Sequence, residues 1–220
     1  RGRSHTGWLD LKHAMRSSDG SFLKYLQIVV VRPSEVEHYR KCFPRFVVFE
    51  LPDDDVVCQH WQCGRRPVEE LGIGNKRYWI HKLASCILPK SWRYYFEYDD
   101  SVTSWRYSIL PSDKKDEHGR DLPSGRPKIE IRDVSLGQML QHHQKPAFEE
   151  FKSFGIVGFS RFGRNSGNLR KAYHRCHVYS AFLVNCDLID ELQQFYGRHI
   201  YLWEDLDFNL RCDNAGGVVV

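Results

Sequence analysis

The sequence predicts an α/β fold with a mixed, mostly parallel sheet flanked by helices, and two observations support this prediction. Near the start, two apolar and largely β-branched runs, residues 26–31 and 46–51, are separated by a short helical segment. Parallel strands need a crossover, which a helix can supply. Further on, the aromatic strand 92–98 runs directly into Asp99 and Asp100. Ligands of open α/β sheets lie at the carboxyl ends of strands, so this strand end is a candidate site.

Length and composition favour one soluble domain. The chain has 220 residues, of which 41% are hydrophobic, and neither a repeat nor a linker divides it. We expect an N-terminal extension over residues 1–24 and a single domain over 25–220. The chain stops on the apolar residues 218–220, which we interpret as a strand just begun, so the domain is expected to continue. The apolar runs are far shorter than the ~20 residues that span a membrane, so we expect no membrane partner.

Charge and cysteine content restrict the function less strongly. The net charge of +4 allows an acidic partner such as a nucleotide or nucleic acid but does not require one. Seven cysteines at irregular spacings favour a reducing compartment. Because no CxxC pair exists, buried or surface thiols are a better interpretation than a structural zinc site. The residues from which a zinc site could be assembled are Cys58, His60, Cys63, His174, Cys176 and His177.

Two helices are predicted in the first half of the chain. Ser34 and Glu37 have the spacing of a capping box, which predicts a short helix to about Cys42. A second helix follows residues 72–75 and stops before Pro89. Its predicted apolar face consists of Trp79, Ile80, Leu83, Ala84, Ile87 and Leu88.

The start of this second helix carries Lys76 and Arg77. Backbone N–H groups at a helix start attract anions, and two cations strengthen that attraction. Taken alone, however, both side chains are expected to be solvated, as most lysines and arginines are.

The second half of the chain continues the alternation of strands and helices. A charged loop over residues 112–133 is expected to include a short strand at 129–131. A basic loop over 161–167 separates two predicted strands. The other predicted elements are helices from 136 and from 146, strands 156–160 and 177–185, a helix 188–196 capped by Asp187, and a strand with a short helix over 200–211.

Asp99 and Asp100 are candidate metal ligands. Magnesium and manganese prefer oxygen ligands and commonly bridge one or two carboxylates to a substrate diphosphate. Glu97 lies on the same side of the strand as Asp99, because side chains alternate with a period of two. An isolated pair of aspartates more often only caps a turn. The buried strand before the pair and the basic helix start upstream favour a site.

Glu204 and Asp205 form a second acidic group, between an apolar run and a short helical segment. A carboxylate at a helix start is stabilised in its ionised form, so Asp205 is a candidate general base near neutral pH. The alternative is that it serves only as a helix cap. A metal site and a separate base together suit transfer from a diphosphate donor to a hydroxyl group.

The order of these parts resembles the glycosyltransferase-A fold. The resemblance lies in Arg32-Pro33 after the first strand, the helix start at residues 72–77, Glu97-Tyr98-Asp99-Asp100, and Trp203-Glu204-Asp205-Leu206. More narrowly, the chain from residue 25 onward is similar to the TET/JBP-associated glycosyltransferase family. Within that family it looks most like the glycosyltransferase-like domain of the estrogen-regulated GREB-type nuclear proteins.

This resemblance implies a metal-dependent, inverting glycosyltransferase located in the nucleus. The donor would be a UDP-sugar, UDP-GlcNAc or UDP-glucose, bound with Mn²⁺ or Mg²⁺. The acceptor would be a protein hydroxyl, as on a nuclear receptor, or a hydroxymethylated pyrimidine in DNA. Asp205 would be the base, Glu204 would help to place the acceptor or sugar, and Asp99 and Asp100 would hold the metal. The implied donor-binding residues are Arg32, Pro33, Glu50, Asp53, Gly74, Arg77 and Asp99.

Two other functions remain open. The acidic motif reads Glu-x-Asp-Asp and departs from Asp-x-Asp, which suits a catalytically weak or inactive module that recruits chromatin or receptor partners. The basic residues Arg161, Arg164, Arg170, Lys171 and Arg175 near aromatic side chains are the basis of a third hypothesis, nucleic-acid binding.

Overall fold

The computed structural model describes residues 26–44, 46–53, 56–57, 65–89, 93–99, 102, 105–109, 130–144, 151–159, 177–200 and 203–220. These residues form a mixed α/β structure of short strands and helices. The strands are β1 (Ile28–Val31), β2 (Val47–Glu50), β3 (Val56–Val57), β4 (Arg65–Arg66), β5 (Tyr94–Tyr98), β6 (Trp105–Ile109), β7 (Glu130–Val134), β8 (Ile156–Gly158) and β9 (Ala181–Asn185). The helices are α1 (Val36–Cys42), α2 (Ile73–Ile87), α3 (Leu136–Gln144), α4 (Cys186–Leu192) and α5 (Glu204–Asn214), with 3-10 turns at Pro33–Glu35 and Val68–Glu70.

The prediction of a mixed α/β fold is confirmed, but a mostly parallel sheet is not. Only β1 and β2 form a parallel pair among the described strands, and the pairs β3–β4, β5–β9, β9–β8 and β6–β7 are antiparallel. Periodicity cannot separate these cases when a strand is buried on both faces. All five residues of β9 are buried, because this strand lies between β5 and β8 with side chains packed above and below it.

The core lies on both faces of the β5-β9-β8 sheet. On one face, Phe182 and Val184 of β9 join a cluster with side chains of α4 and α5, including Ile189 and Phe208. On the other face, Leu183 packs in a cluster with Phe151 and Val157. A neighbouring cluster around α3 is rich in aromatic rings, contributed by Phe96, Tyr98, Trp105 and Phe159.

Helix α2 begins and ends close to the predicted positions but buries a different face. The buried residues are Gly74, Asn75, Arg77, His81 and Ala84, whereas the predicted core residue Ile87 is exposed. Residues 74, 77, 81 and 84 are spaced by three or four, so they follow one side of the helix. This side consists mainly of small and polar residues, so the apolar pattern of the sequence does not reveal that it is buried.

Local capping also differs from the prediction. Ser34 donates a hydrogen bond to Glu69 at 2.7 Å, so it does not form a box with Glu37. Helix α4 is capped by the Asn185 side chain, which accepts a bond from the Leu188 N–H, and not by Asp187. Helix α4 begins at Cys186, so Asn185 holds the capping position and Asp187 lies in the first turn.

Several predictions concern other parts of the chain. The helix predicted from residue 146 and the basic loop 161–167 lie outside the described residues. None of the helices in the described part of the chain combines the length and apolarity needed to cross a membrane. The cysteines Cys186 and Cys212 are buried thiols, whereas Cys42 and Cys86 are exposed. The residues of the possible zinc site, apart from His177, lie outside the described residues.

Candidate functional site

Arg77 lies at the centre of a buried ionic cluster. Its Nε donates to Glu97 Oε1 at 2.8 Å, its Nη1 to Glu204 Oε1 at 2.9 Å, and its Nη2 to Asp99 Oδ1 at 3.1 Å. The Arg77 side chain is only 3% exposed. The sequence-based expectation that this arginine is solvated is therefore wrong. We call these four residues the Arg77 cluster.

Three elements distant in sequence bring the cluster together. Arg77 is in the first turns of α2, Glu97 and Asp99 lie on one side of β5 and its carboxyl end, and Glu204 opens α5. Gly74 allows α2 to approach the start of α5 closely. A Cβ atom there would lie 2.7 Å from the Gly197 carbonyl oxygen and 3.2 Å from Glu204 Cβ. Only glycine fits without a backbone shift, so Gly74 helps to set the position of Glu204.

Two aromatic rings enclose the guanidinium group. The Cζ atom of Arg77 lies 5.5 Å from the ring centroids of both Phe182 and Tyr196. Tyr196 in turn stacks on Phe208 with a centroid separation of 3.9 Å. Packing of rings on the guanidinium faces leaves its edge for hydrogen bonds. These rings therefore hold the orientation in which Arg77 reaches three carboxylates.

The cluster contains more acidic groups than basic ones, and burial changes how they titrate. Burial raises the pKa of Glu97 to about 7, although Arg77 opposes this shift. Burial also raises the pKa of Glu204. For Arg77, burial disfavours the charge, but the neighbouring Tyr196, Glu97, Asp99 and Glu204 favour it more strongly and the pKa is raised. Arg77 therefore stays charged, while one of its acidic partners holds a proton in part of the physiological range.

The interior of the cluster contains polar atoms that lack a partner. Glu97 Oε2 and the Tyr95 hydroxyl are buried and make no hydrogen bond within the described structure. Tyr95 and Glu97 share one face of β5, two residues apart, so both atoms lie between the strand and α2. Buried polar groups are normally paired, and unpaired ones occur most often where a site stores strain or receives water or a ligand.

Asp99 is the most accessible carboxylate of the Arg77 cluster. Its side chain is 34% exposed, compared with 9% for Glu97 and for Glu204. Its backbone N–H donates to the Ser180 carbonyl at 2.7 Å, which fixes the end of β5 against the start of β9. Asp99 is thus the acid through which a ligand in solvent could reach the cluster.

Asp205 is half-buried in the first turn of α5, directly after Glu204. Its Oδ1 accepts the Leu206 N–H at 2.8 Å. Helix starts favour negative charge, so the position suits an ionised carboxylate. The structure therefore supports the predicted helix start, and a role of Asp205 as base stays a prediction.

The remaining predicted donor residues lie at another edge. Arg32 and Pro33 follow β1, while Glu50 ends β2 and Asp53 follows it. Because β1 and β2 are parallel, all four residues lie at the same end of this strand pair. Arg32 Nη2 donates to the Leu71 carbonyl at 3.1 Å, immediately before α2. This edge therefore adjoins the amino end of α2. None of the described hydrogen bonds or ion pairs joins Pro33, Glu50 or Asp53 to the Arg77 cluster, and Asp100 lies outside the described residues.

Comparison with known proteins identifies the family. A model described as TET-Associated Glycosyltransferase matches residues 1–220. The chain belongs to the TET-associated glycosyltransferase family. The resemblance predicted from the acidic motifs is therefore confirmed.

The curated relatives of this chain are much longer proteins. It is 27% identical over 234 residues to the human GREB1-like protein and 25% identical over 231 residues to human Protein GREB1. It is also 25% identical over 218 residues to the GREB1-like protein of Danio rerio. Each match covers 98% of this chain and 10% of the relative, so the chain spans about a tenth of their length. No solved structure matches it.

The described part of the chain offers few metal ligands of its own. Among the residues that the structure describes, no group of three or more His, Cys, Asp or Glu side chains could hold a metal ion. Asp99 is an oxygen donor at the strand end, and magnesium or manganese often binds through one or two carboxylates and a substrate diphosphate. Asp99 is therefore the carboxylate of the Arg77 cluster most open to a metal ion, and a metal at this strand end stays a prediction.

A second polar group on α2 was not predicted from the sequence. His81 Nε2 lies 2.9 Å from Asp190 Oδ1 and 3.3 Å from Ser85 Oγ. Burial lowers the pKa of His81, although Asp190 opposes the shift. Both partners contact the same ring nitrogen, whereas a Ser-His-Asp triad uses two different nitrogens. The trio is therefore a packing contact, and its helical spacing from Arg77 is the signal that could have revealed it.

Proposed function

We propose that this chain is a metal-dependent glycosyltransferase module that transfers a sugar from a UDP-sugar, UDP-GlcNAc or UDP-glucose, to a hydroxyl acceptor. The observation that supports this proposal most strongly is the Arg77 cluster. It joins Arg77 to Glu97, which lies 20 residues further along the chain, and to Glu204, which lies 127 residues further. Burying several carboxylates around one arginine is costly for a purely structural purpose, because desolvation offsets much of the attraction.

In this proposal, Asp205 takes the proton of the acceptor hydroxyl. A general base must lie within hydrogen-bond reach of the proton that it removes, and a half-buried carboxylate at a helix start is suited to that role. Glu204 is held by Arg77 and fixes the first turn of α5, so it would position Asp205 and the adjoining sugar or acceptor. Direct attack by the activated hydroxyl inverts the anomeric centre.

Asp99, together with Asp100, would hold Mn²⁺ or Mg²⁺ against the diphosphate. The ion would offset the negative charge that develops on the UDP leaving group. Arg32, Pro33, Glu50, Asp53 and Gly74 are proposed to form the nucleotide side of the site. Their support is the family resemblance and, for Arg32 and Gly74, the position beside the start of α2.

Arg77 is proposed to support the donor through Asp99. Each of its three side-chain nitrogens donates to a carboxylate, which uses three of its five N–H groups and directs the guanidinium toward protein acids. By fixing Asp99 Oδ1, it would present the rest of that carboxylate to the metal. This differs from direct contact with the diphosphate, which the resemblance implies.

A thermal-shift panel of nucleotide sugars, with and without Mn²⁺, tests the donor site. A ligand that binds only the folded state raises the melting temperature by mass action. We expect a shift with a UDP-sugar that requires Mn²⁺ and is lost in Asp99→Asn. The matched control is Asp133→Asn, which changes an exposed aspartate that pairs with Arg106 and should leave the shift intact. Absence of a shift with every UDP-sugar, or an equal shift in Asp99→Asn, would contradict the proposal.

The second candidate is a catalytically weak module that binds a nuclear receptor or chromatin partner. Each side-chain nitrogen of Arg77 already donates to a protein carboxylate, and the acidic motif reads Glu-x-Asp-Asp; both observations favour this candidate. On this hypothesis, partner binding survives Asp99→Asn and Asp205→Asn, and no UDP-sugar changes the melting temperature. The acceptor of an active enzyme, a protein Ser/Thr or a hydroxymethylated pyrimidine in DNA, and a nuclear location are likewise proposals. They rest on the family resemblance.

A further inference from the structure

Trp203 is placed in a conformation that needs an explanation. It lies immediately before Glu204, is 73% exposed, and has a φ angle of 66°. Bulky residues rarely adopt this left-handed region, because it brings Cβ close to the backbone. The Trp203 side chain makes no capping hydrogen bond to α5. The chain therefore keeps a large apolar side chain in solvent, in an unfavourable backbone conformation, beside the proposed base.

The backbone strain is concentrated near the Arg77 cluster. Three non-glycine residues of the described chain have positive φ angles: Ser180, Gln193 and Trp203. Gln193 is an ordinary left-handed cap at the end of α4. Ser180 accepts the Asp99 N–H, and Trp203 precedes Glu204. Strained residues that surround one site are a reason to look for a function there.

The contacts on either side of Trp203 explain how this conformation is maintained. The Trp203 carbonyl accepts the Asp207 N–H at 3.0 Å, which starts α5. The next residue, Glu204, is anchored by Arg77. These two constraints fix the backbone around Trp203 while the indole remains outside the core.

A second exposed aromatic residue, Tyr179, lies next to Ser180. It is 37% exposed. Among the exposed large hydrophobic side chains of the described residues, Tyr179 and Trp203 are the two aromatic ones. The segment before it is fixed to α5, because the Asn209 side chain bonds both the N–H and the carbonyl of Val178. Tyr179 thus precedes Ser180, whose carbonyl accepts the Asp99 N–H, and Trp203 precedes Glu204, which accepts from Arg77.

We propose that Trp203, with Tyr179 as a second wall, forms an aromatic subsite that stacks on the face of a hexose ring. This inference rests on the proposed function, since it places the subsite at the proposed site of sugar transfer. A hexose combines an apolar C–H face, which suits an aromatic ring, with hydroxyl donors that suit the carboxylates nearby. The hexose is either that of the donor or that of a sugar acceptor.

Calorimetric titrations with UDP, UDP-glucose and methyl glucoside, each in the presence of Mn²⁺, test the subsite. Trp203→Ala is expected to weaken hexose binding about tenfold, in the range of a single aromatic stacking partner, and Trp203→Phe should preserve most of it. Tyr179→Ala should have a smaller effect in the same direction. The matched control is Leu210→Ala, which removes another exposed apolar side chain of α5 and should change nothing.

The ligands distinguish the source of the ring. If Trp203→Ala weakens UDP-glucose binding and leaves UDP binding unchanged, the subsite holds the donor hexose. If it weakens only methyl glucoside binding, the subsite holds an acceptor hexose. If both affinities are unchanged, or if the wild-type protein binds neither hexose ligand, the subsite is overturned. Failure of the proposed function looks different: UDP and UDP-glucose do not bind the wild-type protein, while the methyl glucoside titration still decides the subsite.

The variant Trp203→Gly adds an independent readout. Glycine adopts positive φ angles readily, so this change should not lower the melting temperature and is expected to raise it slightly while hexose binding is lost. A clear fall in melting temperature would show that Trp203 is a structural residue and would contradict the proposal.

Discussion

The two faces of strand β5 differ sharply although their residues alternate along a single short segment. On one face, the Phe96 ring packs within 6 Å of the rings of Tyr98, Trp105 and Phe159, as measured between centroids. On the other face, Glu97 bonds Arg77 and leaves its second oxygen unpaired. The aromatic face is an ordinary apolar interface, whereas the polar face is buried and acidic.

This difference indicates that one face of β5 stabilises the strand and the other face carries the candidate site. The aromatic face fixes β5 through apolar burial, which is favourable and tolerant of small displacements. The polar face depends on correctly placed hydrogen bonds, which a rigid strand can hold in position. The buried acidic cluster on one face of β5 therefore depends on apolar packing at the opposite face of the same strand.

The largest effect is expected from Arg77→Met, which breaks the polar face. Removal of one partner from a buried ionic cluster leaves carboxylates uncompensated, so the free energy of unfolding should fall by about 3–5 kcal/mol. Denaturant titration measures this change. The control Arg40→Met removes an exposed partner of Glu37 and should cost no more than about 1 kcal/mol. An equally small effect at Arg77 would mean that the cluster is not formed.

Phe96→Ala breaks the aromatic face instead. Phe96 is only partly buried, so we expect a loss of about 2–3 kcal/mol, somewhat below the range for fully buried phenylalanines. The Mn²⁺-dependent thermal shift with the UDP-sugar should persist in this variant. If that shift disappears, ligand binding at the polar face depends on the aromatic face, which would contradict separate roles for the two faces.

Glu97→Gln gives a smaller effect that depends on pH. The carboxyl of Glu97 has a pKa of about 7 in the folded chain, above its ordinary value of 4.5. Between these values the folded state holds a proton that the unfolded state releases. The stabilisation is therefore fully present below about pH 4.5 and is lost as the pH rises to about 7, by at most ~1.4 kcal/mol per pH unit.

Stability curves for the wild type and Glu97→Gln test this expectation. The wild type minus variant difference should decline from pH 4.5 to 7 and level off above it. The variant Glu191→Gln at an exposed position of α4 should follow the wild-type curve. Parallel curves for the wild type and Glu97→Gln would contradict the raised pKa.

The sequence predicted most of the element order, and the reason is local. β1, α1, β2 and α2 have clear apolar periodicity or end at prolines, and all form close to the predicted positions. Asp99 and Glu204 were predicted as site residues because acids at strand ends and helix starts have a recognisable chemical setting. Arg77 was predicted as a basic residue at a helix start and, from the resemblance, as a donor-binding residue, but its burial among three carboxylates was not predicted.

The remaining features depend on contacts between distant segments. No local pattern reveals that Arg77 is buried, because its partners lie at Glu97, Asp99 and Glu204. The antiparallel pairing of β5 with β9 was missed for the same reason, since a strand covered on both faces looks alike in either direction. Strand alternation did place Glu97 and Asp99 on one side of β5, but it could not show that this side is covered by Arg77 of α2.

UDP release from UDP-GlcNAc or UDP-glucose in the presence of Mn²⁺ shows whether the polar face of β5 and the start of α5 form one transfer site. The wild type is expected to turn over, and Asp205→Asn should lose about a hundredfold or more, as expected for a general base. Asp99→Asn should lose turnover as well, and both variants should retain the fold. Wild-type turnover that persists unchanged in both folded variants would contradict the account.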